Sequence, residues 1–306
     1  MENSKNIFGP INSRRFGVSL GVDLSSKTKQ CNFDCLYCEL APAKTTELQE
    51  YTVDSETIFF DIHSALKTHK NIDVITFTAN GEPTLYPYLN ELIEKVDTIK
   101  GDTQTLILTN SATLMDEQVF NTLLLLDQVK LSLDAITPEV FKKIDRPHES
   151  IKIEKISQKV IEFSNKFKGK LFIEILFVHT LNDSDEEIKK LNEVLLEVKC
   201  DRIDLGTIDR PPAYNVTGIS YSELHSISMK FDSSLPVHIA SRQHAESCKS
   251  YYSNEEILNT LDKRPLSQED IELLFDDDSQ KRVEELKCSG SIKTLKRANI
   301  EFFIKA

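Results

Sequence analysis

The sequence predicts an α/β fold, built from about six βα units around a parallel sheet and followed by a small, mostly helical C-terminal domain. Two observations lead to this prediction. Short apolar runs rich in β-branched residues alternate with longer stretches of helical periodicity, as in βα repeats. This alternation stops after about residue 254, where shorter segments take over. The length of 306 residues allows one barrel-sized domain or two smaller ones.

Six strands and a weaker seventh are predicted from the apolar runs, and helices are predicted between them. The strands cover residues 18–24, 74–78, 105–109, 129–133, 171–178 and 202–208, with 236–240 as the weaker seventh. The helices cover residues 55–68, 88–98, 116–125, 138–144, 151–167, 185–198 and 220–231. Asp185, followed by Glu186 and Glu187, is typical of a helix start, because acidic groups there interact favourably with the helix dipole.

The C-terminal region has a different pattern, in which three short helices precede a hairpin. The helices cover residues 255–261, 267–275 and 279–287, and β-prone runs follow at 291–295 and 300–304. Ser267 with Asp270 resembles a helix N-cap and its acidic partner. This order predicts a winged helix. The boundary is expected at residues 242–254, which gives one domain over 1–245 and a linker with the winged-helix-like domain over 246–306.

Composition limits the classes of partner. A net charge of −12 repels a phosphate backbone unless basic residues gather locally. They do so at residues 281–306, which contain seven Lys or Arg and three Glu. This basic tail allows nucleic-acid binding, contact with a protein or peptide, or simple packing on the first domain. No apolar run approaches the length of a membrane span and the N-terminus lacks the pattern of a signal peptide, so we expect a cytoplasmic protein without membrane contact.

Three cysteines, Cys31, Cys35 and Cys38, lie within eight residues directly after the first predicted strand, where a loop can curl around one object. Thiolates favour iron–sulfur clusters, and three of them leave one iron of a four-iron cluster open to a small ligand. The alternatives are unrelated buried thiols and a zinc site, but zinc normally needs a fourth Cys or His, and none occurs between Cys38 and His63. The remaining cysteines are interpreted as small buried side chains: Cys200, Cys248 and Cys288.

The spacing CxxxCxxC, with Tyr37 before the third cysteine, resembles the signature of the radical S-adenosylmethionine (SAM) superfamily. The resemblance implies a partial (βα)6 barrel with its active site at the C-terminal ends of the strands. It also implies that Cys31, Cys35 and Cys38 hold a [4Fe–4S] cluster whose open iron binds the amino and carboxylate groups of SAM. Reduction of the cluster then cleaves SAM to a 5′-deoxyadenosyl radical, which abstracts hydrogen from a substrate.

A second segment, Asn80-Gly81-Glu82-Pro83, follows the second predicted strand and resembles the GGEP motif of the superfamily, except for Asn in place of the first Gly. Glycine lets the backbone approach closely, and the Glu82 carboxylate can pair with a ligand ammonium. An ordinary turn is the alternative. The resemblance also implies SAM contacts by polar residues at the ends of later strands, which would otherwise be generic barrel residues: Asn110, Ser132, Asp134, and Thr207 with Gly206.

Three further segments resemble a bacterial and archaeal group of iron–sulfur oxidoreductases related to wyosine-type transfer-RNA synthetases: residues 9–17 (GPINSRRFG), 19–23 (SLGVD) and 210–213 (RPPA). Those transfer-RNA enzymes carry a second cysteine set upstream, and no cysteine precedes Cys31, which argues against the wyosine reaction. Guanidinium groups bind phosphate or carboxylate through two hydrogen bonds, so Arg14, Arg15 and Arg210 are candidates for binding an anionic substrate. The alternative is that these arginines form salt bridges within the protein.

Together these observations predict a radical SAM enzyme with a [4Fe–4S] cluster and SAM as cofactors and an electron donor such as flavodoxin or ferredoxin as partner. RNA, and transfer RNA in particular, is the leading substrate hypothesis, from the family neighbourhood and the basic tail. One alternative is radical modification or activation of a protein or peptide recognised by the C-terminal domain. Another is a non-enzymatic iron–sulfur redox sensor that binds DNA. Beyond these binding residues, the catalytic residues are unknown from sequence.

Overall fold

The structure is a computed structural model that describes residues 6–13, 15–25, 28–239, 249, 251–263, 265–297 and 300–306. The first eight strands are β1 (Ile7–Ser13), β2 (Gly17–Asp23), β3 (Val74–Thr78), β4 (Gln104–Thr109), β5 (Gln128–Ser132), β6 (Lys170–Phe177), β7 (Arg202–Thr207) and β8 (Val237–Ile239). The first seven helices are α1 (Ser55–Thr68), α2 (Leu89–Asp97), α3 (Glu117–Leu123), α4 (Pro138–Ile144), α5 (Ile153–Lys166), α6 (Asp185–Leu195) and α7 (Tyr221–Ser228). Short 3₁₀ turns follow β3 and β4, at Pro83–Leu85 and Ala112–Met115.

Strands β1 to β8 form one sheet in chain order. β1 and β2 are antiparallel, and every pair from β2 to β8 is parallel. At least one helix lies between consecutive parallel strands, from α1 between β2 and β3 to α7 between β7 and β8. The carboxyl ends of the parallel strands therefore share one edge of the sheet. The predicted α/β fold is confirmed, and the seven predicted strands correspond to β2 to β8.

Strand β1 lies outside the strands that the sequence predicts, because Gly9 and Pro10 interrupt its apolar pattern. Its pairing with β2 also shifts register between Phe8 and Ile11. Gly21 on β2 makes the pairing possible, since a Cβ at this position would lie 2.1 Å from the Phe8 ring. The strand is thus formed by tertiary pairing rather than by a local pattern.

Helices and strands bury apolar rows against one another. In α2, the buried residues Leu89, Leu92, Ile93 and Val96 follow helical spacing and face the sheet. In β5, every residue before Ser132 is buried, as expected for a parallel strand covered on both faces. None of the helices in the described part of the chain is long and apolar enough to cross a membrane.

The inner face of the sheet carries a network of charged side chains. Lys130 on β5 lies 2.6 Å from Glu174 on β6, and Arg15, in the turn between β1 and β2, lies 2.8 Å from the other Glu174 oxygen. Arg15 also lies 3.2 Å from Asp204 on β7, which accepts a hydrogen bond from Arg202 at 3.1 Å. Burial alone would raise the pKa of Glu174, but Lys130 and Arg15 lower it to about 2.

The same network shows that the sheet is strongly curved. In a flat sheet, β2 and β6 would lie roughly 19 Å apart, because neighbouring strands are separated by about 4.8 Å. That distance exceeds the reach of one Arg side chain, yet Arg15 contacts carboxylates on β6 and β7. The strands therefore curl around a charged interior, as in the predicted partial barrel. Arg14, the neighbouring candidate, lies outside the described residues.

The C-terminal region contains α8 (Asn254–Lys263), β9 (Leu266–Ser267), α9 (Gln268–Leu274), α10 (Asp277–Cys288), β10 (Ile292–Arg297) and β11 (Ile300–Lys305). Its strands form a second sheet in the order β10, β11, β9. The three predicted helices and both β-prone runs are present, whereas β9, with two residues, is too short to predict. The winged-helix interpretation and the domain boundary stay predictions, and residues 240–248 and 250 of the expected linker lie outside the described residues, Cys248 among them.

The C-terminal region packs on the barrel through β1. Ile11 of β1 is buried in the same apolar cluster as Ile257 and Leu261 of α8, and Phe8 packs against it. The Tyr252 hydroxyl donates a hydrogen bond of 2.6 Å to the Pro10 carbonyl. β1 therefore belongs to the barrel sheet through its backbone and to the C-terminal core through its side chains.

We expect Glu174→Gln to destabilise the fold by roughly 3 to 4 kcal/mol at pH 7, because the pKa of Glu174 falls from 4.5 to about 2 and one unit is worth roughly 1.4 kcal/mol. The ionised carboxylate contributes fully above its unfolded pKa, and its contribution is lost as the pH falls toward the folded pKa. Urea unfolding of the apo chain at pH 7 and pH 3 measures this. The gap between variant and native chain should shrink at pH 3, and an equal gap at both would contradict the pairing.

Candidate active site

The three clustered cysteines lie at the edge of the sheet formed by the carboxyl ends of the strands. Their loop follows β2 and faces a cavity of about 230 Å³. Segments that follow β3 and β4 and the end of β5 complete the wall. The cavity lining includes most of the residues predicted to bind cofactors: Cys31, Cys35, Tyr37, Cys38, Gly81, Glu82, Pro83, Asn110 and Ser132. The fold therefore brings together residues from positions 31 to 132 of the chain.

The segment after β3 holds the first part of the cysteine loop. The Gln30 backbone N–H donates to the Asn80 carbonyl at 3.0 Å, and the Glu82 N–H donates to the Gln30 carbonyl at 3.1 Å. Gly81 lies between these bonds with φ +131°, and a Cβ there would lie 2.0 Å from the Gln30 carbonyl oxygen. Only glycine fits this approach. The glycine of the motif thus serves contact between two backbones.

The segment after α4 holds the middle of the loop. The Asp34 and Leu36 N–H groups donate to the carbonyls of Asp145 and Ile144 at 3.1 and 2.8 Å. The His148 N–H donates to the Asn32 carbonyl at 2.8 Å. These bonds fix the backbone on both sides of Cys35.

The segment after β7 holds the end of the loop. The Ala213 N–H donates to the Cys38 carbonyl at 2.8 Å, and the Tyr214 hydroxyl donates to the Asp34 carboxylate. Arg210 forms an ion pair with Glu39, the residue after the third cysteine. The RPPA segment therefore contacts the cysteine loop, and Arg210 forms the salt bridge that was the alternative to substrate binding.

Glu82 is buried beneath the cavity and is only 2% exposed. Its Oε1 accepts hydrogen bonds from the Thr84 hydroxyl and the Thr109 hydroxyl, each at 2.6 Å, and its Oε2 accepts from the Asn110 N–H at 2.8 Å. Burial raises the pKa of Glu82, and these hydrogen bonds oppose the rise. The carboxylate is therefore held in one orientation at the wall of the cavity.

Asn110 and Ser132 lie between the cysteine loop and the strands. The Asn110 side-chain amide donates to Asn32 Oδ1 at 2.6 Å and lies 3.8 Å from Cys31 Sγ. The Ser132 carbonyl accepts a hydrogen bond of 2.8 Å from the Ser111 hydroxyl, and Ser132 lines the larger cavity. Both residues also line a second, much smaller cavity of about 10 Å³.

Asp134 lines that smaller cavity rather than the larger one. It accepts hydrogen bonds from the Tyr37 hydroxyl and, at 2.7 Å, from the Leu176 N–H. Burial raises the pKa of Asp134 to about 7. In this arrangement Asp134 supports Tyr37, which itself lines both cavities.

Like Asp134 and Arg210, three further predicted residues do not line the larger cavity: Thr207, Arg15 and Asn80. The Thr207 hydroxyl donates to the Phe177 carbonyl at 3.1 Å and accepts from the Ile219 N–H at 2.8 Å. The side chain of Arg15 joins the ion network inside the barrel. Asn80 touches the site through its backbone, which binds Gln30. These placements come from the tertiary structure alone.

The donor set fits an iron–sulfur cluster. Among the described residues, no three His, Cys, Asp or Glu side chains are placed to share one single metal ion. In a four-iron cluster each thiolate binds a different iron, so the thiols need only face one cavity. Burial, assisted by Glu82, raises the pKa of Cys31 to about 12, and burial also raises the pKa of Cys35 well above its usual range. Such thiols ionise readily only with a cationic partner such as iron.

Residues 25–191 match the family described as the radical SAM superfamily. The chain belongs to the radical SAM superfamily. A UPF0026 protein of Helicobacter pylori is 40% identical over 304 residues, which cover 99% of this chain and 98% of that protein. The prediction of the superfamily is therefore confirmed, and so is the prediction of an enzyme. The narrower relation to wyosine-type synthetases stays a prediction.

Solved radical SAM structures share the fold. A radical SAM methyltransferase from Sphaerobacter thermophilus superposes with a TM-score of 0.56 at 12% identity, over 74% of this chain and 68% of that one. SuiB of Streptococcus suis, solved with bound SAM, gives a TM-score of 0.54 at 16% identity, over 76% of this chain and 54% of that one. Radical SAM enzymes use a [4Fe–4S] cluster and SAM and need an external electron donor, so the predicted cofactors are confirmed.

Sequence patterns missed several charged residues of the candidate site. Lys29 and Lys130 both line the larger cavity, as does Glu174. Asp34, between the first two cysteines, binds the Lys29 ammonium at 3.0 Å. The proximity of Lys29 and Asp34 to the cysteines was visible in the sequence, but nothing local indicates that the side chains are buried. Lys130 and Glu174 required the register of β5 and β6.

We expect Gly81→Ala to abolish most cluster binding, because a Cβ 2.0 Å from the Gln30 carbonyl forces the two segments apart. Iron and sulfide content after anaerobic reconstitution measures the effect. Gly101→Ala is the matched control, since Gly101 also has a positive φ, +58°, but nothing lies within 4 Å of its added Cβ. Full iron loading of Gly81→Ala would show that the close approach is dispensable.

Proposed function

We propose that this radical SAM enzyme cleaves SAM reductively and that the resulting 5′-deoxyadenosyl radical abstracts hydrogen from a substrate. Cys31, Cys35 and Cys38 hold the [4Fe–4S] cluster in this proposal. The single observation that supports it is the shared cavity: the three thiols, Glu82 and Asn110 line one space at the carboxyl ends of the strands. Barrel enzymes place their chemistry at this edge.

The protein side chains in this proposal bind and orient. The Glu82 carboxylate, fixed by Thr84, Thr109 and Asn110, accepts the ammonium of SAM. Gly81 keeps the Glu82 turn against Gln30 of the cysteine loop, and both Gly81 and Pro83 line the ligand pocket. Asn110, Ser132 and Tyr37 complete the ligand pocket directly. Asp134 contributes indirectly, by accepting the hydrogen bond of the Tyr37 hydroxyl.

Asn80 and Thr207 have less direct parts in the proposal. The Asn80 backbone keeps Gln30 and the cysteine loop in place, and Thr207 ties the end of β7 to Phe177 and Ile219. The adenine of SAM would then lie against the adjacent backbone at Gly206, where a Cβ would meet nothing within 4 Å. The electron donor is proposed to be a flavodoxin or ferredoxin.

RNA, with transfer RNA first, remains the proposed substrate class, and the basic tail supports it. Helix α10 gives limited support, because it carries four acidic and three basic residues. Arg282 donates to the Tyr252 carbonyl at 3.2 Å and lies 4.5 Å from the Tyr251 ring. Exposed Lys281 and Lys293 are better placed to meet phosphates. The charge balance of α10 favours the second candidate, a protein or peptide substrate held by the C-terminal domain.

The reaction is tested by anaerobic reconstitution, reduction with dithionite and measurement of 5′-deoxyadenosine from SAM. We expect product from the native chain and at least a hundredfold less from Cys35→Ala, because one cluster ligand is removed. Cys288→Ala is the matched control, since Cys288 is exposed, contrary to its interpretation as a buried side chain, and lies far along the chain from the loop. A native chain loaded with iron and sulfide that forms no 5′-deoxyadenosine would refute the proposed reaction.

The substrate class is tested by RNA retention during purification at low salt. If RNA binds the basic tail, the double variant Lys281→Glu, Lys293→Glu should retain several-fold less RNA, and retention should fall steeply between 50 and 200 mM salt. Lys189→Glu on α6 is the control, because its side chain is exposed but lies on the barrel. Equal retention by all three proteins would remove the support for RNA and favour a peptide substrate.

A further inference from the structure

Lys29 places a buried ammonium group beside the cysteine loop. Its side chain is only 6% exposed and lines the same cavity as Cys31, Cys35 and Cys38. Burying a Lys side chain is costly unless its charge is compensated.

Asp34 holds the Lys29 ammonium in place but does not cancel the local positive charge. Its Oδ1 lies 3.0 Å from Lys29 Nζ, and its Oδ2 lies 3.5 Å from Arg146 and accepts a bond from the Tyr214 hydroxyl. Two cations thus share one carboxylate. Arg146 also lies 4.7 Å from the Tyr214 ring, which fixes it on the outer side of Asp34.

Lys29 faces the same cavity as the three cysteines, and its partner Asp34 lies between Cys31 and Cys35 in the loop. The other cation that lines the cavity, Lys130, lies 2.6 Å from Glu174 and is paired with it. Of the two lysines among the described residues lining this cavity, Lys29 is therefore the one that belongs to the cysteine loop itself.

We propose that Lys29 sets the reduction potential of the cluster by stabilising its reduced form. This inference rests on the proposed ligation by the three cysteines. A cluster held by thiolates is anionic, and reduction adds one more negative charge within a poorly solvated cavity. A fixed ammonium at the wall favours that added charge and so makes the midpoint potential more positive. Lys29 is a positioning charge in this role and takes no part in bond breaking.

The test is a redox titration of the reconstituted protein, followed by electron paramagnetic resonance of the reduced cluster, in the absence of SAM. Lys29→Met should shift the midpoint to more negative values, and Lys29→Arg should restore most of the native value. Asp34→Asn removes a negative charge next to Lys29 and should shift the midpoint in the opposite, positive direction. Lys44→Met, an exposed lysine in the same loop, is the control and should leave the midpoint unchanged.

Opposite shifts for Lys29→Met and Asp34→Asn separate a charge effect from simple loosening of the loop, which would move both in one direction. An unchanged midpoint in Lys29→Met, or shifts of the same sign, would overturn the inference. If Lys29→Met does not bind the cluster, the Asp34→Asn variant tests the inference alone. An unchanged midpoint potential in Asp34→Asn would then contradict the proposed role of Lys29. A native chain that binds no cluster would instead refute the proposed function, so the two failures are distinguishable.

Discussion

The approach of the Gln30 carbonyl to Gly81 is the contact on which the rest of the site depends. With no room for a side chain between the two backbones, the loop that carries the cysteines and the turn that carries Glu82 form one unit. Glu82 is then fixed by two threonines and the Asn110 backbone, so β3 and β4 are joined to the same unit. Further contacts after α4 and β7 close the loop from the other sides. A loop without regular structure becomes as well defined as the strands that surround it.

The site concentrates groups that prefer to be neutral in this environment. Burial raises the pKa values of Cys31, Cys35, Glu82 and Asp134, and the cations lining the larger cavity are two lysines, one of them paired with Glu174. Such a set of potential anions gains most from iron and from a ligand ammonium. The burial of these thiols and carboxyl groups is therefore consistent with a site in which iron and the ligand ammonium supply the compensating positive charge. Binding of the metal should then stabilise the fold as well as enable chemistry.

Strand β1 connects the barrel sheet with the C-terminal region. Its backbone pairs with β2 and its Ile11 side chain lies in the C-terminal core. Arg15, four residues after Ile11, enters the ion network inside the barrel. The C-terminal region is thus attached to a hairpin whose turn reaches the barrel interior, rather than to an independent surface. Ile11, through which β1 packs on the C-terminal region, is therefore only four residues from Arg15 in the ion network inside the barrel.

The sequence by itself determined the α/β alternation, the cysteine loop and the Glu82 turn, because periodicity and motif spacing are local. It also determined the three helices and the hairpin of the C-terminal region, including the Ser267 cap of α9, but not β9. Only the tertiary structure decided that β1 is a strand, that Arg210 pairs with Glu39, and that Asp134 supports Tyr37. It alone brought Lys29 and Lys130 to the cavity wall. Partners distant in sequence decide the burial and pairing of a charged side chain, and no local pattern records which partner the fold supplies.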